Sequence, residues 1–148
     1  MSSWAELAAA EPDFAERVRR VLEARKHKSL ATLRRDGSPR VSGVEVQVTD
    51  GELVMGMMPG SRKVADLERD PRLAIHTISD DPPAAAPGEW GGDVQVAGRA
   101  IGLERPDGPP HYRIHLAEIV LTRLGDPADH LLIESWHPGR GLVAFKRY

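Results

Sequence analysis

The sequence predicts a mainly-β (α+β) chain, an antiparallel barrel or sandwich with few helices. Three observations carry that expectation. Short runs with strand character recur from residue 29 to the end of the chain, and the clearest of them alternates with a period of two. Asp-Gly pairs at Asp36-Gly37 and Asp50-Gly51 punctuate the first runs, as they do in tight antiparallel hairpins. Helical periodicity is confined to the first 28 residues and to a short stretch after Ser61.

Taken in order, residues 1–28 form a helical segment. Pro12 suits a first helical turn, Phe14, Val18, Val21 and Leu22 recur at helical spacing, and Lys26-His27-Lys28 place positive charge where the helix should end. Ser29–Leu33 is a first strand, and Val41–Val48 a second, in which Ser42, Val44, Val46 and Val48 alternate with Val41, Gly43, Glu45 and Gln47. Glu52–Met57 is a third, so the two Asp-Gly turns define a three-strand meander. After Pro59-Gly60 the period becomes helical again. Ser61 is the N-cap candidate, Val64 and Leu67 supply the apolar side, and Asp70-Pro71 stops the helix. Arg72–Ile78 and Asp93–Leu103 are further strands, separated by the Pro/Gly-rich loop 79–92, with Gly98 and Gly102 expected at bulges or close approaches. A turn-rich link over Glu104–Pro110 leads to His111–Leu124, His130–Trp136 and a short final run, Leu142–Lys146.

Composition excludes several functions. With 148 residues the chain has the length of one ordinary domain. It has no cysteine, which removes disulfides, thiol catalysis and zinc-thiolate sites. No apolar run approaches the roughly 20 residues that span a bilayer. The N-terminus lacks the apolar stretch of a signal peptide, so a cytoplasmic location without a membrane partner is expected. A net charge of -2 and a pI near 6.3 argue against a nucleic-acid partner, and three Trp, two Tyr and two Phe are too few for a base-stacking platform. The clusters Arg17-Arg19-Arg20, Arg25-Lys26-His27-Lys28 and Arg34-Arg35 read as solvated faces.

Pro59-Gly60-Ser61-Arg62-Lys63 is different, because it follows a strand and opens a helix. Unpaired N–H groups and the positive end of the helix dipole favour an anion there. Ser61 adds a hydroxyl, Arg62 a planar fork for phosphate oxygens and Lys63 a point charge, while Gly60 lets backbone approach closely. The alternative is an ordinary N-cap followed by two solvated basic residues.

The order of motifs from Ser29 to Thr77 resembles the pyridoxamine-5'-phosphate-oxidase-like flavin-binding split barrel family. The residues that carry the resemblance are Leu30-Ala31-Thr32-Leu33, Asp36-Gly37-Ser38-Pro39-Arg40-Val41-Ser42, Gly51-Glu52-Leu53, Ser61-Arg62-Lys63, Leu67 and Asp70-Pro71-Arg72-Leu73-Ala74. The resemblance implies an antiparallel split β-barrel over residues 29–148, of about six to seven strands, with an N-terminal helix and a short helix after strand 3. It implies a homodimer with two cofactors at the interface, acting on a small-molecule substrate. Ser61, Arg62 and Lys63 would bind the cofactor phosphate. Val41–Gln47, with Ser42, Val44 and Gln47, would lie along the isoalloxazine, and Met55–Met58, with Met57 and Met58, would line the site. The family's namesake oxidases carry Arg and Lys where this chain has Ser42 and Gln47, and their C-terminal Arg-x-His motif is not evident. The implied activity is therefore an FMN- or deazaflavin-dependent (coenzyme F-420) oxidoreductase rather than pyridoxamine phosphate oxidation. The alternatives are a flavin- or deazaflavin-binding protein that stores or senses the cofactor, and a haem-binding split barrel. The cofactor carries the hydride chemistry, so no catalytic side chain is assigned.

Within Glu134–Arg140, Trp136 can wall a pocket and Arg140 can meet an anionic group; the alternative for Trp136 is a place in the core. His76, His111, His115, His130 and His137 show no HExxH spacing, and no metal site is expected.

Overall fold

The computed structural model describes residues 1–104 and 107–148. The turn-rich link expected over Glu104–Pro110 therefore falls partly outside the described residues. Helices α1 (Trp4–Ala10) and α2 (Pro12–Ala24) precede strands β1 (His27–Leu33), β2 (Pro39–Thr49) and β3 (Glu52–Gly56). Helix α3 (Arg62–Arg69) follows, then β4 (Arg72–Thr77), a 3-10 turn (Pro87–Glu89), β5 (Asp93–Leu103), β6 (His111–Leu124), β7 (Leu131–His137) and β8 (Gly141–Arg147). All pairings are antiparallel. The order is β3-β2-β1-β4-β5-β6-β7-β8, and a β3–β6 pairing closes the first six strands into a barrel. The expected mainly-β split barrel is thus found, with eight strands among the described residues rather than six to seven.

Strand β6 makes the closure possible. At 14 residues it is long enough for one edge to serve several partners. Its first part pairs with β3 at His111–Arg113, its second with β7 at Ile119–Leu124, and Ser2 bonds Leu116 through both backbone groups, at 3.0 and 2.7 Å. On the opposite edge β6 runs along the whole of β5. A bulge interrupts that pairing, since Ala97 faces Glu118 while Gly98 faces Leu116. Tyr112, Ile114 and Leu116 point into the core before it, and Ile119 and Leu121 after it. Gly98 is required there, because a Cβ would lie 1.9 Å from the His115 carbonyl oxygen. Gly102 meets no such crowding, so only the first of the two expected glycine features is present.

Residues 1–28 contain two helices instead of one. Ser3 caps the first through a 3.1 Å bond from the Glu6 N–H, and Pro12 opens the second. Trp4, Leu7, Phe14, Val18 and Leu22 bury their side chains in the core. Glu134, buried on β7, accepts from Arg17 of α2 at 2.5 Å and pairs with Arg123 at 3.1 Å, which fastens the helix to the sheet. The helix stops at Ala24, and His27 and Lys28 already belong to β1. Lys28 is buried and donates to the carbonyls of Arg25 (2.5 Å), Lys26 (3.2 Å) and Val46 (2.9 Å), so its charge does meet the chain leaving the helix, but from a strand. Burial holds its ammonium below the usual lysine range. No helix among the described residues is long and apolar enough to cross a membrane.

Helix α3 is fixed to the barrel by Asp66. Its carboxylate accepts from Thr32 of β1 (2.7 Å), Arg40 of β2 (2.7 Å) and Arg69 of its own helix (3.1 Å), and Arg69 also donates to the Leu33 carbonyl at 2.6 Å. The Arg40 bond, helped by Thr32 and Arg69, outweighs burial and brings the carboxyl from 3.8 down to about 2. A carboxyl with a depressed folded-state pKa stabilises the fold above its unfolded pKa. That contribution is complete above about pH 4 and is lost as the pH falls through about 2. Replacement Asp66→Asn should lower stability by about 2–3 kcal/mol near neutrality. It should also flatten the pH dependence of the urea midpoint between about pH 4 and pH 2. An unchanged acid limb would show that another carboxylate governs it.

Candidate functional site

Two concavities meet at the start of α3. The first is a groove of about 530 Å³ between β2, β3 and the entry to β6. Gly43, Gln47 and Glu45 of β2 form one wall and Val54 and Gly56 of β3 the floor, with Met57, Met58, Lys63 and His111 around the rim. Strand alternation explains the β2 wall: Val44 and Val46 turn into the core, which leaves Gly43, Glu45 and Gln47 facing out. Nothing lies within 4 Å of where a Gly43 Cβ would be, so the strand presents a flat stretch of backbone there. Met58 is 76 % exposed and offers an apolar side chain, whereas Met57 is buried.

His111 has a fixed orientation in this groove. Its Nδ1 lies 3.1 Å from the Pro109 carbonyl oxygen, which can only accept, so Nδ1 is the donor in that bond and Nε2 has no hydrogen-bond partner among the described residues. The ring rests against Gly56, where a Cβ would stand 3.1 Å from two ring atoms. In the sequence His111 is one of five histidines without metal-ligand spacing; its seat against Gly56 is a nonlocal fact that spacing does not reveal.

The second concavity is a cleft of about 490 Å³ between the β1–β2 turn and α3, lined by Arg34, Arg35, Asp36, Arg40, Arg62, Ala65, Asp66 and Arg69. Arg62 and Lys63, expected to act together, diverge here. Arg62 lines the arginine cleft, while Lys63 lines the groove and donates to the Gly43 carbonyl. Arg62 is exposed and Lys63 half-buried, so they are not both surface groups. Ser61 occupies the N-cap position with extended backbone, but its side chain makes no capping bond. Its Oγ is buried without a hydrogen-bond partner, and so is the Oγ of Ser42 on β2.

The remaining expected residues lie as follows. Val44, Gln47, Met57, Met58 and Lys63 come together on the groove. Ser42, Ser61 and Arg62 stand outside its lining. Trp136 is 4 % exposed and belongs to the hydrophobic core, packed with the inward side of β7, and it lines neither the groove nor the cleft. Arg140 donates to the carbonyl and hydroxyl of Ser135, at 2.6 and 2.8 Å, which commits it to its own turn. No group of three or more potential metal ligands is present among the described residues.

Fold and site define a split-barrel protein with a groove beside the start of α3. Residues 14–122 match the family model described as pyridoxamine 5'-phosphate oxidase, and the chain belongs to that family. No curated protein matches the sequence. Among solved structures, PhzG from Burkholderia lata 383, in complex with tetrahydrophenazine-1-carboxylic acid, is 15% identical with a TM-score of 0.63, over 95% of this chain and 87% of its own. A heme binding protein from Mycobacterium smegmatis is 14% identical with a TM-score of 0.57, over 99% and 88%. HutZ, the heme storage protein from Vibrio cholerae, is 18% identical with a TM-score of 0.54, over 72% and 89%. At these identities the likeness is one of fold.

Replacement Gly56→Val tests the His111 geometry. It should displace the imidazole and break the Nδ1 bond to Pro109, at a cost to stability of about 1 kcal/mol. The checking measurement is the pair of ring-nitrogen NMR shifts of His111, which should lose the signature of a fixed Nδ1–H tautomer. Retention of that signature would mean the ring is held by something other than the glycine.

Proposed function

We propose that the protein is a flavin- or deazaflavin-dependent oxidoreductase that acts on a small molecule, with its cofactor in the groove and the cofactor phosphate at the Ser61-Arg62-Lys63 turn. The observation that carries this reading is the buried, unpartnered hydroxyl of Ser61 at the head of that turn; the hydroxyl of Ser42 on β2 is likewise buried and unpartnered. A buried polar atom without a partner costs about 1–3 kcal/mol, and a phosphate oxygen at the turn would supply the missing partner. Lys63 has donors left after its bond to Gly43, and Arg62 makes no ion pair among the described residues. The residues present thus fit an oxyanion.

When bound, the cofactor ring supplies hydride exchange. The chain supplies the rest. Lys63 and Ser61 hold the anionic end, and the bare backbone at Gly43 gives a planar ring a surface to lie against. Gln47 would offer an amide to the bound ring, and Met57, Met58 and Val54 make part of the groove lining apolar. His111, with Nε2 free, can accept or return a proton in the same groove. A second copy of the chain would complete the site, and exposed Val41 on β2 with Val143 and Phe145 on the edge strand β8 give it apolar surface to cover. The homodimer is part of the proposal.

Absorbance and native mass spectrometry of the purified protein test this reading. The expected result is a dimer carrying FMN, with yellow flavin bands, or the deazaflavin coenzyme, with a single violet-blue band. A haem Soret band, or a protein that binds neither cofactor in fluorescence titration, would overturn it. The double replacement Arg62→Ala, Lys63→Ala should weaken cofactor binding at least about 100-fold. The thermal midpoint should stay within a few degrees, because neither side chain is in the core.

A further inference from the structure

We propose that His27, Glu45 and His111 form a proton-exchange row across the groove. In it Nε2 of His111 takes a proton from the bound substrate, Glu45 steadies the imidazolium so formed, and His27 hands the proton on to water. The row deepens the oxidoreductase reading and rests on the groove being its substrate site. It fits a substrate that presents an ionisable O–H or N–H.

The row comes from the register of four strands. His27 of β1 lies opposite Glu45 of β2, Glu45 opposite Gly56 of β3, and Gly56 opposite His111 of β6. The last of these pairings belongs to the contact that closes the barrel, so the three side chains share one line only in the folded chain. All four residues line the groove. Directly opposed side chains in such a row stand about 5 Å apart. At Gly56 there is no side chain, and the His111 ring takes that place, with Cε1 and Nε2 each 3.1 Å from where a Cβ would be. No side chain at position 56 therefore separates Nε2 from the Glu45 carboxylate. On the other side of Glu45, Nε2 of His27 lies 3.5 Å from Oε1.

Glu45 is the only carboxylate lining the groove among the described residues. The other charges around it are cations. Lys63 donates to the carbonyl of Gly43, one outward position along β2, and Arg113 stands in the next row, opposite Val54. Lys28 lies beneath, on the inward side of β1. An imidazolium at His111 is opposed by these groups and favoured by Glu45. With Nδ1 donating to Pro109 and Nε2 without a partner, the ring is set to accept at Nε2. The step is a proton transfer alone: the substrate's O–H or N–H bond breaks, the Nε2–H bond forms, and the electron pair stays on the substrate atom. The reverse step returns the proton. Glu45 and His27 are 56 and 69 % exposed, so their pairing adds little to stability and opens the row to water. Glu45 is thus a positioning residue that acts through His111, and it can be replaced without unfolding the chain.

The test treats the full chain without cofactor with diethyl pyrocarbonate at about pH 6. Mass spectrometry then follows modification at each histidine, because the reagent attacks neutral imidazole. In Glu45→Gln the rates at His111 and His27 should rise about threefold, since the carboxylate no longer favours the imidazolium. Glu45→Asp should restore most of the parent rate. His76 and His115, outside the row, should stay within about 1.5-fold and serve as references. A second measurement titrates the same proteins with p-nitrophenol at about the same pH, as an O–H probe. The bound probe should show the yellow phenolate band with the parent protein and lose most of it with Glu45→Gln and with His111→Asn. An unchanged His111 rate in Glu45→Gln, a rise shared by His76 and His115, or no phenolate band with the parent would overturn the row. If neither FMN nor F-420 binds the chain, the oxidoreductase reading fails, while the modification rates and the phenolate band still decide the row.

Discussion

The carboxylate of Asp66 is the point on which the functional surface turns. It is buried, it belongs to a helix of only eight residues, and it gathers donors from β1, β2 and its own helix. So short a helix has little stability of its own, since most of its backbone groups lie in its terminal turns. Val64 and Leu67 give it a greasy underside, but apolar contact is non-directional and would allow the helix to rotate or slide. Three hydrogen bonds to one charged group remove that freedom. The step from Ser61 to Lys63 then has one orientation relative to the barrel, with the groove on one side and the arginine cleft on the other. A buried charge is an expensive fastening, and it holds only because its partners are already in place on two strands.

The same economy recurs where the other helices meet the barrel. Glu134 is buried and binds Arg17 and Arg123, and Lys28 is buried and satisfied by three carbonyls. Each is a single charged side chain that joins elements far apart in sequence. The apolar core supplies cohesion, and these polar junctions set the angles. They also explain why the basic clusters differ in fate. Arg17 and Lys28 are structural, whereas Arg34, Arg35 and Arg62 are left unspent.

Local chemistry made a large part of this legible in the sequence. Asp36-Gly37 and Asp50-Gly51 are hairpin signals that need no tertiary information, and Gly37, Gly51 and Asp50 all adopt positive φ. Asp70-Pro71 ended α3 as expected, with Asp70 bonded to the Arg72 N–H at 3.1 Å. The family pattern placed the Ser61-Arg62-Lys63 turn at the right point of the barrel. What resisted reading was nonlocal. Asp66 looks like any polar helix residue until Thr32 and Arg40 are brought beside it. Adjacent residues on a helix differ by about 100° in direction, so Arg62 and Lys63 were bound to diverge, but which concavity each would meet depended on the packing of α3. Trp136 lies beside a turn in the sequence and is in the core because Leu142 of β8 and Ile119 of β6 flank it.

The bulge in β6 has a meaning of its own. Core positions run Tyr112, Ile114, Leu116 and then Ile119, Leu121, so the parity of inward positions changes from even to odd across Ala117. The strand thereby keeps its greasy side inward along both the barrel half and the half that carries β7 and β8. Ala117 is the phase correction between them. Drawn out into regular pleating with Ala117 kept, the strand would turn over everything downstream, presenting Ile119 and Leu121 to water and Val120 and Thr122 to the core; the bulge sets Ala117 aside so that Leu116 and Ile119 share one face.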